Sequence, residues 1–138
     1  AKMSGRSVDD VSFFAPVFVI TGENEAERAE AEKHVRYQIG FYGSTPNYRA
    51  LLEHHGYDTL GKELSAATRA GEFDKLPGLV PDELLEACSI AGEPDQIAPV
   101  LRKRYEGGLM QRASLYFSMD ADAPEEKWRD FTNAFKAV

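Results

Sequence analysis

Between positions 40 and 49 the chain reads Gly-Phe-Tyr-Gly-Ser-Thr-Pro-Asn-Tyr-Arg. Phe41, Tyr42 and Tyr48 offer flat apolar faces, and Ser44 and Thr45 offer hydroxyls within the same ten residues. That combination suits a planar ligand, because aromatic faces stack on a ring while hydroxyl donors hold its polar edge. These five residues form the candidate ligand-binding set. A plainer reading competes with it. Thr45 is a good N-cap and Pro46 suits the first helical position, so the stretch also reads as a helix start whose aromatics pack it down.

Other reactive side chains lack the partners their chemistry needs. His54 and His55 are adjacent, so on a helix they point about 100° apart and cannot hold one ion together. No further ligand pair has metal spacing, and no metal is expected. Cys88 lies between Ala87 and Ser89 and reads as a small buried residue. Glu23, Glu25, Glu27, Glu30 and Glu32 read as a solvated helix face rather than as acid–base groups. No Gly-x-Ser-x-Gly motif supports nucleophilic hydrolysis. Gly107-Gly108 reads as a helix end.

The elements that must position these residues follow from apolar periodicity. Residues 11–20 are apolar, and Pro16 cannot donate to a ladder, so a buried parallel strand is expected from Pro16 to Ile20. Asn24 with Glu27 has the form of a capping box opening a helix that runs to Gln38, with Ala31, Val35 and Ile39 inward. A stripe of Tyr48, Leu51, Leu52 and His55 predicts a short helix stopped by Gly56. Further helices are expected over 59–70 and 81–87. A short strand is expected at Ala87–Ala91, then a helix at Pro94–Tyr105 with Ile97, Val100, Leu101 and Tyr105 inward. A strand at Arg112–Phe117 and a helix at Pro124–Val138, packed through Trp128, Phe131 and Phe135, complete the order. Strands alternating with helices imply a parallel sheet of βα units.

Composition sets the outer limits. The 138 residues suit one domain, 1–138, within which 40–87 reads as a helical insertion. A net charge of −7, with Arg102, Lys103 and Arg104 sitting beside Glu106, argues against nucleic acid as a partner. No apolar run reaches the roughly 18 residues of a spanning helix, so no membrane partner is expected. A single cysteine fits a reducing compartment, and the expected location is the cytoplasm. The first methionine is the third residue. Three parallel strands leave sheet edges and one face to be covered by the insertion or by more protein.

The runs Arg-Tyr-Gln-Ile-Gly-Phe-Tyr-Gly-Ser-Thr-Pro-Asn-Tyr-Arg, Leu-Leu-Glu-His-His-Gly-Tyr and Ile-Ala-Gly-Glu-Pro-Asp-Gln-Ile resemble the C-terminal part of the luciferase-like oxidoreductases, in the branch that uses the deazaflavin coenzyme factor 420. The resemblance runs from about Ser7 to Tyr116. It implies an α/β fold, a partial (β/α)8 TIM barrel comprising the last three βα units with a helical insertion. The other five strands, and most of the cofactor site, would lie elsewhere. Two positions depart from the family pattern. Glu93 stands where a small hydroxyl residue is usual, and puts negative charge at a turn that would otherwise attract phosphate. Met110-Gln111 replaces a more usual Val-Asp.

What the resemblance implies for function is part of an oxidoreductase that moves hydride between a deazaflavin cofactor, with FMN as the alternative, and a small organic substrate. On that reading the isolated chain is expected to be inactive, its partner being the missing barrel half or a second copy in a homo-oligomer. No catalytic residue is assigned. Phe41, Tyr42, Ser44, Thr45 and Tyr48 would touch cofactor only if the insertion closes over the barrel mouth. The competing expectation is a non-enzymatic α/β module that associates through its exposed sheet.

Overall fold

The computed structural model describes residues 5, 7, 10–116, 122 and 124–136. The expected strand end at Phe117-Ser118 and the last residues of the C-terminal helix lie outside them. Among the described residues there are three strands and seven helices. In chain order they are β1 (Phe13–Ile20), α1 (Glu25–Gly43), α2 (Arg49–His54), α3 (Leu60–Arg69), α4 (Leu76–Leu79), α5 (Asp82–Cys88), β2 (Ser89–Ala91), α6 (Ile97–Tyr105), β3 (Met110–Tyr116) and α7 (Glu125–Lys136). Single 3-10 turns at Pro46–Tyr48 and Phe73–Lys75 precede α2 and α4. The α/β class and the parallel sheet are those expected.

The start of α1 is set by its capping box. Asn24 Oδ1 accepts from the Glu27 amide at 2.9 Å, and the Glu27 carboxylate accepts from the Glu23 amide at 3.1 Å. Its end differs from the expectation. The helix does not stop at Gln38 but continues through Gly40-Phe41-Tyr42-Gly43. The two glycines act as contact points rather than breakers. A Cβ on Gly40 would stand 3.0 Å from the Leu76 Cβ, and one on Gly43 would stand 2.9 Å from the Leu64 Cδ1. At Gly40 the neighbours are the Leu76 Cβ and carbonyl, so glycine there lets α4 approach α1 closely, whereas at Gly43 a Leu64 methyl would have to shift.

Residues 46–88 pack mainly against α1. Leu52, Leu60, Leu64, Leu76, Val80, Leu84 and Leu85 join Val35, Ile39 and Ile20 in one buried cluster. Arg36 ties the far end of this layer down, donating to the Val80 carbonyl at 2.7 Å and to the carboxylates of Glu32 and Asp82. The expected inward stripe of α2 is corrected. Only Leu52 is buried, its methyls lying beside Gly43 of α1 and Gly61 of α3, while Tyr48, Leu51 and His55 are exposed. α4 was not expected; its Pro77-Gly78 composition hides a helical turn that Leu76 anchors in the core.

β1 begins before Pro16, not at it, and occupies the middle of the sheet in the order β2-β1-β3. Both pairings are parallel. Pro16 is tolerated there for a geometric reason. The Ile20 carbonyl accepts from the Gly92 amide on the β2 side, and alternation turns the Pro16 nitrogen to that same side. β2 pairs only with Phe18–Ile20, so no ladder bond is lost at Pro16.

This order sorts the helices. The step from β1 to β2 and the return past β1 to β3 run in opposite directions. Right-handed crossovers therefore place α1 and α6 on opposite faces. Two clusters result. Phe18 and Ile20 face α1 and its layer, whereas Val17, Val19 and Ile90 pack with Ile97 of α6 and Phe131 of α7. Phe135 joins the second cluster as expected, and Trp128 is half-buried.

Candidate functional site: an aromatic ridge and the end of the first strand

The last turn of α1 projects Phe41 and Tyr42, and the following 3-10 turn brings Tyr48 back beside them. The Tyr42 and Tyr48 ring centroids are 5.4 Å apart, and those of Phe41 and Tyr42 are 6.1 Å apart. Tyr37, one turn earlier, stacks on Phe41 at 6.3 Å with the planes 9° apart. The ridge continues onto the sheet. Phe18 of β1 lies 6.4 Å from Tyr42 and meets Tyr116 of β3 edge-on at 5.2 Å. Phe41, Tyr48 and Tyr116 each leave about two-fifths of their surface exposed (39%, 42% and 39%). Three of the five candidate residues thus form one partly open aromatic surface, joined by Phe18 and Tyr116, which sequence reasoning did not single out.

Ser44 and Thr45 serve α1 itself. Ser44 is buried, and its hydroxyl donates to the Phe41 carbonyl at 2.7 Å. The Thr45 hydroxyl donates to the Tyr42 carbonyl at 2.9 Å, and its oxygen accepts from no amide of the turn that follows, so the expected N-cap bond is not made. The Ser65 hydroxyl in turn donates to the Ser44 carbonyl, locking α3 to the end of α1. The Phe41 and Tyr42 carbonyls also accept from the Ser44 and Thr45 amides, so the hydroxyls add a second donor at the helix end. Both hydroxyl protons are therefore committed, and each oxygen keeps only its acceptor capacity.

The Tyr42 phenol holds its proton more tightly than usual. The neighbouring Tyr116, through the charge it would carry when ionised, is the first cause; partial burial and a hydrogen bond to Tyr116 follow. Tyr42 therefore keeps its proton over the physiological range, and a flat ligand laid on the ridge would meet ring faces and hydroxyls.

The C-terminal end of β1 carries a different feature. Thr21 Oγ1 is buried and has no hydrogen-bond partner among the described residues. Buried hydroxyls are ordinarily paired, so this atom is a candidate ligand contact at the strand end where barrel chemistry sits. Nearby, Glu93 is ion-paired at 2.7 Å with Arg28, whose guanidinium also reaches the Gly22 carbonyl at 3.3 Å. The turn after β2 is thereby bridged to the turn after β1, and Arg28 offsets the charge that Glu93 brings there. His54 and His55 form an edge-on pair 5.5 Å apart. Among the described residues, no group of three His, Cys, Asp or Glu is placed to hold a metal ion, and no helix is long and apolar enough to cross a membrane.

Comparison with known proteins follows the same lines. The model of the luciferase-like monooxygenase family matches residues 1–111. An uncharacterized protein of Mycobacterium tuberculosis is 38% identical over 128 residues, which is 93% of this chain and 38% of that protein. The 5,10-methylenetetrahydromethanopterin reductase of Methanopyrus kandleri is 32% identical over 112 residues, 80% of this chain and 31% of that enzyme. The solved structure of the coenzyme F420 dependent tetrahydromethanopterin reductase of the same organism superposes with a TM-score of 0.66 at 24% identity, covering 99% of this chain and 37% of that one. The likeness in fold is to part of a barrel. This chain spans well under half the length of each of these relatives.

Proposed function

This chain belongs to the luciferase-like monooxygenase family, and from that premise we propose that it is one part of a deazaflavin-dependent oxidoreductase acting on a small organic substrate. Support for deazaflavin over FMN comes from the reductase of Methanopyrus kandleri, 32% identical and named for a methylenetetrahydromethanopterin substrate, and from the solved reductase named as coenzyme F420 dependent. When bound, a deazaflavin supplies the hydride. This chain's residues would bind and orient it.

The observation that carries the reading is the aromatic ridge. Phe41, Tyr42 and Tyr48 present contiguous ring faces beside Tyr116, a surface that fits the flat face of a deazaflavin or its substrate. Ser44 and Thr45 act one step back, holding the turn that sets the two tyrosines. Thr21 would give a hydroxyl to the ligand at the end of β1. The surface is open on one side, so water exclusion has to come from more protein. On this reading the chain alone is inactive, and activity appears in an assembly that completes the barrel.

The test is a spectral titration with deazaflavin and, separately, FMN, run on the chain alone and in the presence of the complementary part of a relative. Binding of deazaflavin in the assembled state, weakened by Tyr48→Ala, supports the proposal. An assembled barrel that binds neither cofactor refutes it.

A further inference from the structure

Helix α6, the first residues of β3 and the end of α7 enclose a cavity of about 400 Å³. It is remote from the surfaces described above. Met110, which opens β3, pairs with Phe13 at the start of β1, whereas Thr21 follows the last residue of that strand. At about 3.3 Å per residue, an eight-residue strand keeps its two ends about 23 Å apart. The aromatic ridge reaches the sheet through Phe18 on the α1 face, while this cavity lies on the face covered by α6 and α7.

Two kinds of side chain meet in it. Leu101 and Tyr105 of α6, Met110 of β3 and Phe135 of α7 form a half-buried apolar lining, packed on the cluster around Ile97. Arg102 of α6 and Arg112 of β3 add two guanidiniums, one from the helix and one from the strand. These two arginines differ from the others around the sheet. Arg28, Arg36, Arg104 and Arg129 each donate to a carboxylate or a carbonyl of this chain. Arg102 and Arg112 make no hydrogen bond and no ion pair among the described residues. Gln111 is held by its Oε1, which accepts from the Phe13 amide at 2.7 Å, so its amide nitrogen is left to donate. Glu106 is the one carboxylate among the described lining residues. Arg104, 6.0 Å from the centroid of the Tyr105 ring, brings a further positive charge close by. The lining is thus net positive in a chain whose net charge is −7.

Uncommitted guanidiniums beside an aromatic and aliphatic lining suit a particular chemistry. A guanidinium takes a carboxylate through paired N–H donors, and a flat ring buries well against Tyr105 and Phe135. A ligand carrying several phosphates fits less well, because Glu106 opposes added negative charge and the volume is near the lower end of the roughly 300–1,000 Å³ of ligand sites. We propose that the cavity between α6, β3 and α7 binds a small planar aromatic carboxylate, with Arg102 and Arg112 holding the carboxylate and Tyr105 and Phe135 flanking the ring. This site is separate from the ridge, and it rests on neither the family assignment nor the identity of the cofactor.

The experiment titrates the full chain into 2-naphthoate, without cofactor, and follows the fluorescence of the probe. The parent chain is expected to show saturable one-to-one binding. Arg102→Gln and Arg112→Gln should each weaken it about tenfold, since each removes a charge-assisted bond. Both replace exposed side chains that hold nothing else in place, so the fold is expected to stand. The uncharged 2-naphthamide, of the same shape, should bind at least tenfold more weakly than the acid. Tyr48→Ala, on the other face of the sheet, should leave naphthoate affinity as it was. Absence of saturable binding by the parent, equal affinity for the amide, or unchanged affinity in either arginine variant overturns the proposal. A loss on Tyr48→Ala would put the probe on the ridge and overturn it as well.

Discussion

Gly43 of α1 lies so close to Leu64 of α3 that a single methyl group on it would stand 2.9 Å from the leucine Cδ1. Gly40, one turn earlier, is tighter in kind, because a methyl there would meet the Leu76 Cβ at 3.0 Å and the Leu76 carbonyl oxygen at 3.2 Å. Replacing a helical glycine by alanine normally gains about 1 kcal/mol of helix propensity. Overpacking a filled core costs about 1–3 kcal/mol. At Gly40 the obstacle includes backbone, so the clash wins. Gly40→Ala is expected to lower stability by about 1 kcal/mol in urea titration, and a rise in the midpoint would show that α4 can yield.

Leu76 sits at the centre of the same contact and is the buried residue of the four-residue α4. Leu76→Ala removes that side chain and leaves a cavity against Gly40 and Leu64. The expected loss is about 2–5 kcal/mol. Leu51→Ala, at an exposed position of α2, should fall within about 0.5 kcal/mol of the parent in the same assay.

The ridge makes a separable prediction. Tyr48 is 42% exposed and contacts Tyr42 through its ring. An aromatic pair is worth about 0.5–1.5 kcal/mol beyond area burial. Tyr48→Ala should therefore cost the assembled protein several-fold or more in deazaflavin affinity while moving the melting temperature by only a few degrees. An unchanged affinity would remove Tyr48 from the ligand surface.

Tyr42 carries a pH signature. Its folded pKa is raised, first by Tyr116, above an unfolded value of about 10. The folded state thus holds the phenolic proton more tightly. The stability from this group is complete below pH ~10 and is lost as pH rises through the folded value. Tyr42→Phe should show a flatter decline in stability above pH ~10 than the parent does, and identical slopes would mean the hydroxyl pair is not formed.

Cys88 closes α5 in a half-buried position. Burial pushes its thiol pKa up, and the charge of Arg104 only partly opposes this. A chromogenic disulfide reagent at pH 8 should modify it slowly in the native chain and promptly in urea. Prompt native reaction would show that the end of α5 opens under native conditions.

How far the letters alone reach is clear from particular residues. Asn24 and Glu27 announce the start of α1 because capping is local chemistry. Its end is not announced, since Gly40 and Gly43 look like stops and prove to be contacts with leucines about twenty to thirty-five residues away. α4 is masked by Pro77-Gly78. All three strands were marked in the sequence, but nothing there labels their neighbours, so the order β2-β1-β3 could not be read. The ridge was half legible. Phe41, Tyr42 and Tyr48 are adjacent in sequence, whereas Phe18 and Tyr116 join them only through the pairing of β1 with β3.

That pairing joins opposite ends of the chain. Phe13 and Gln111, bonded at 2.7 Å, are 98 residues apart. Chains emerge from the ribosome at about 5–20 residues per second, so β1 waits roughly 5–20 s before β3 exists. Throughout that interval β1 lacks the strand that pairs with this edge in the finished fold. The closing of the sheet is thus paced partly by the clock of translation.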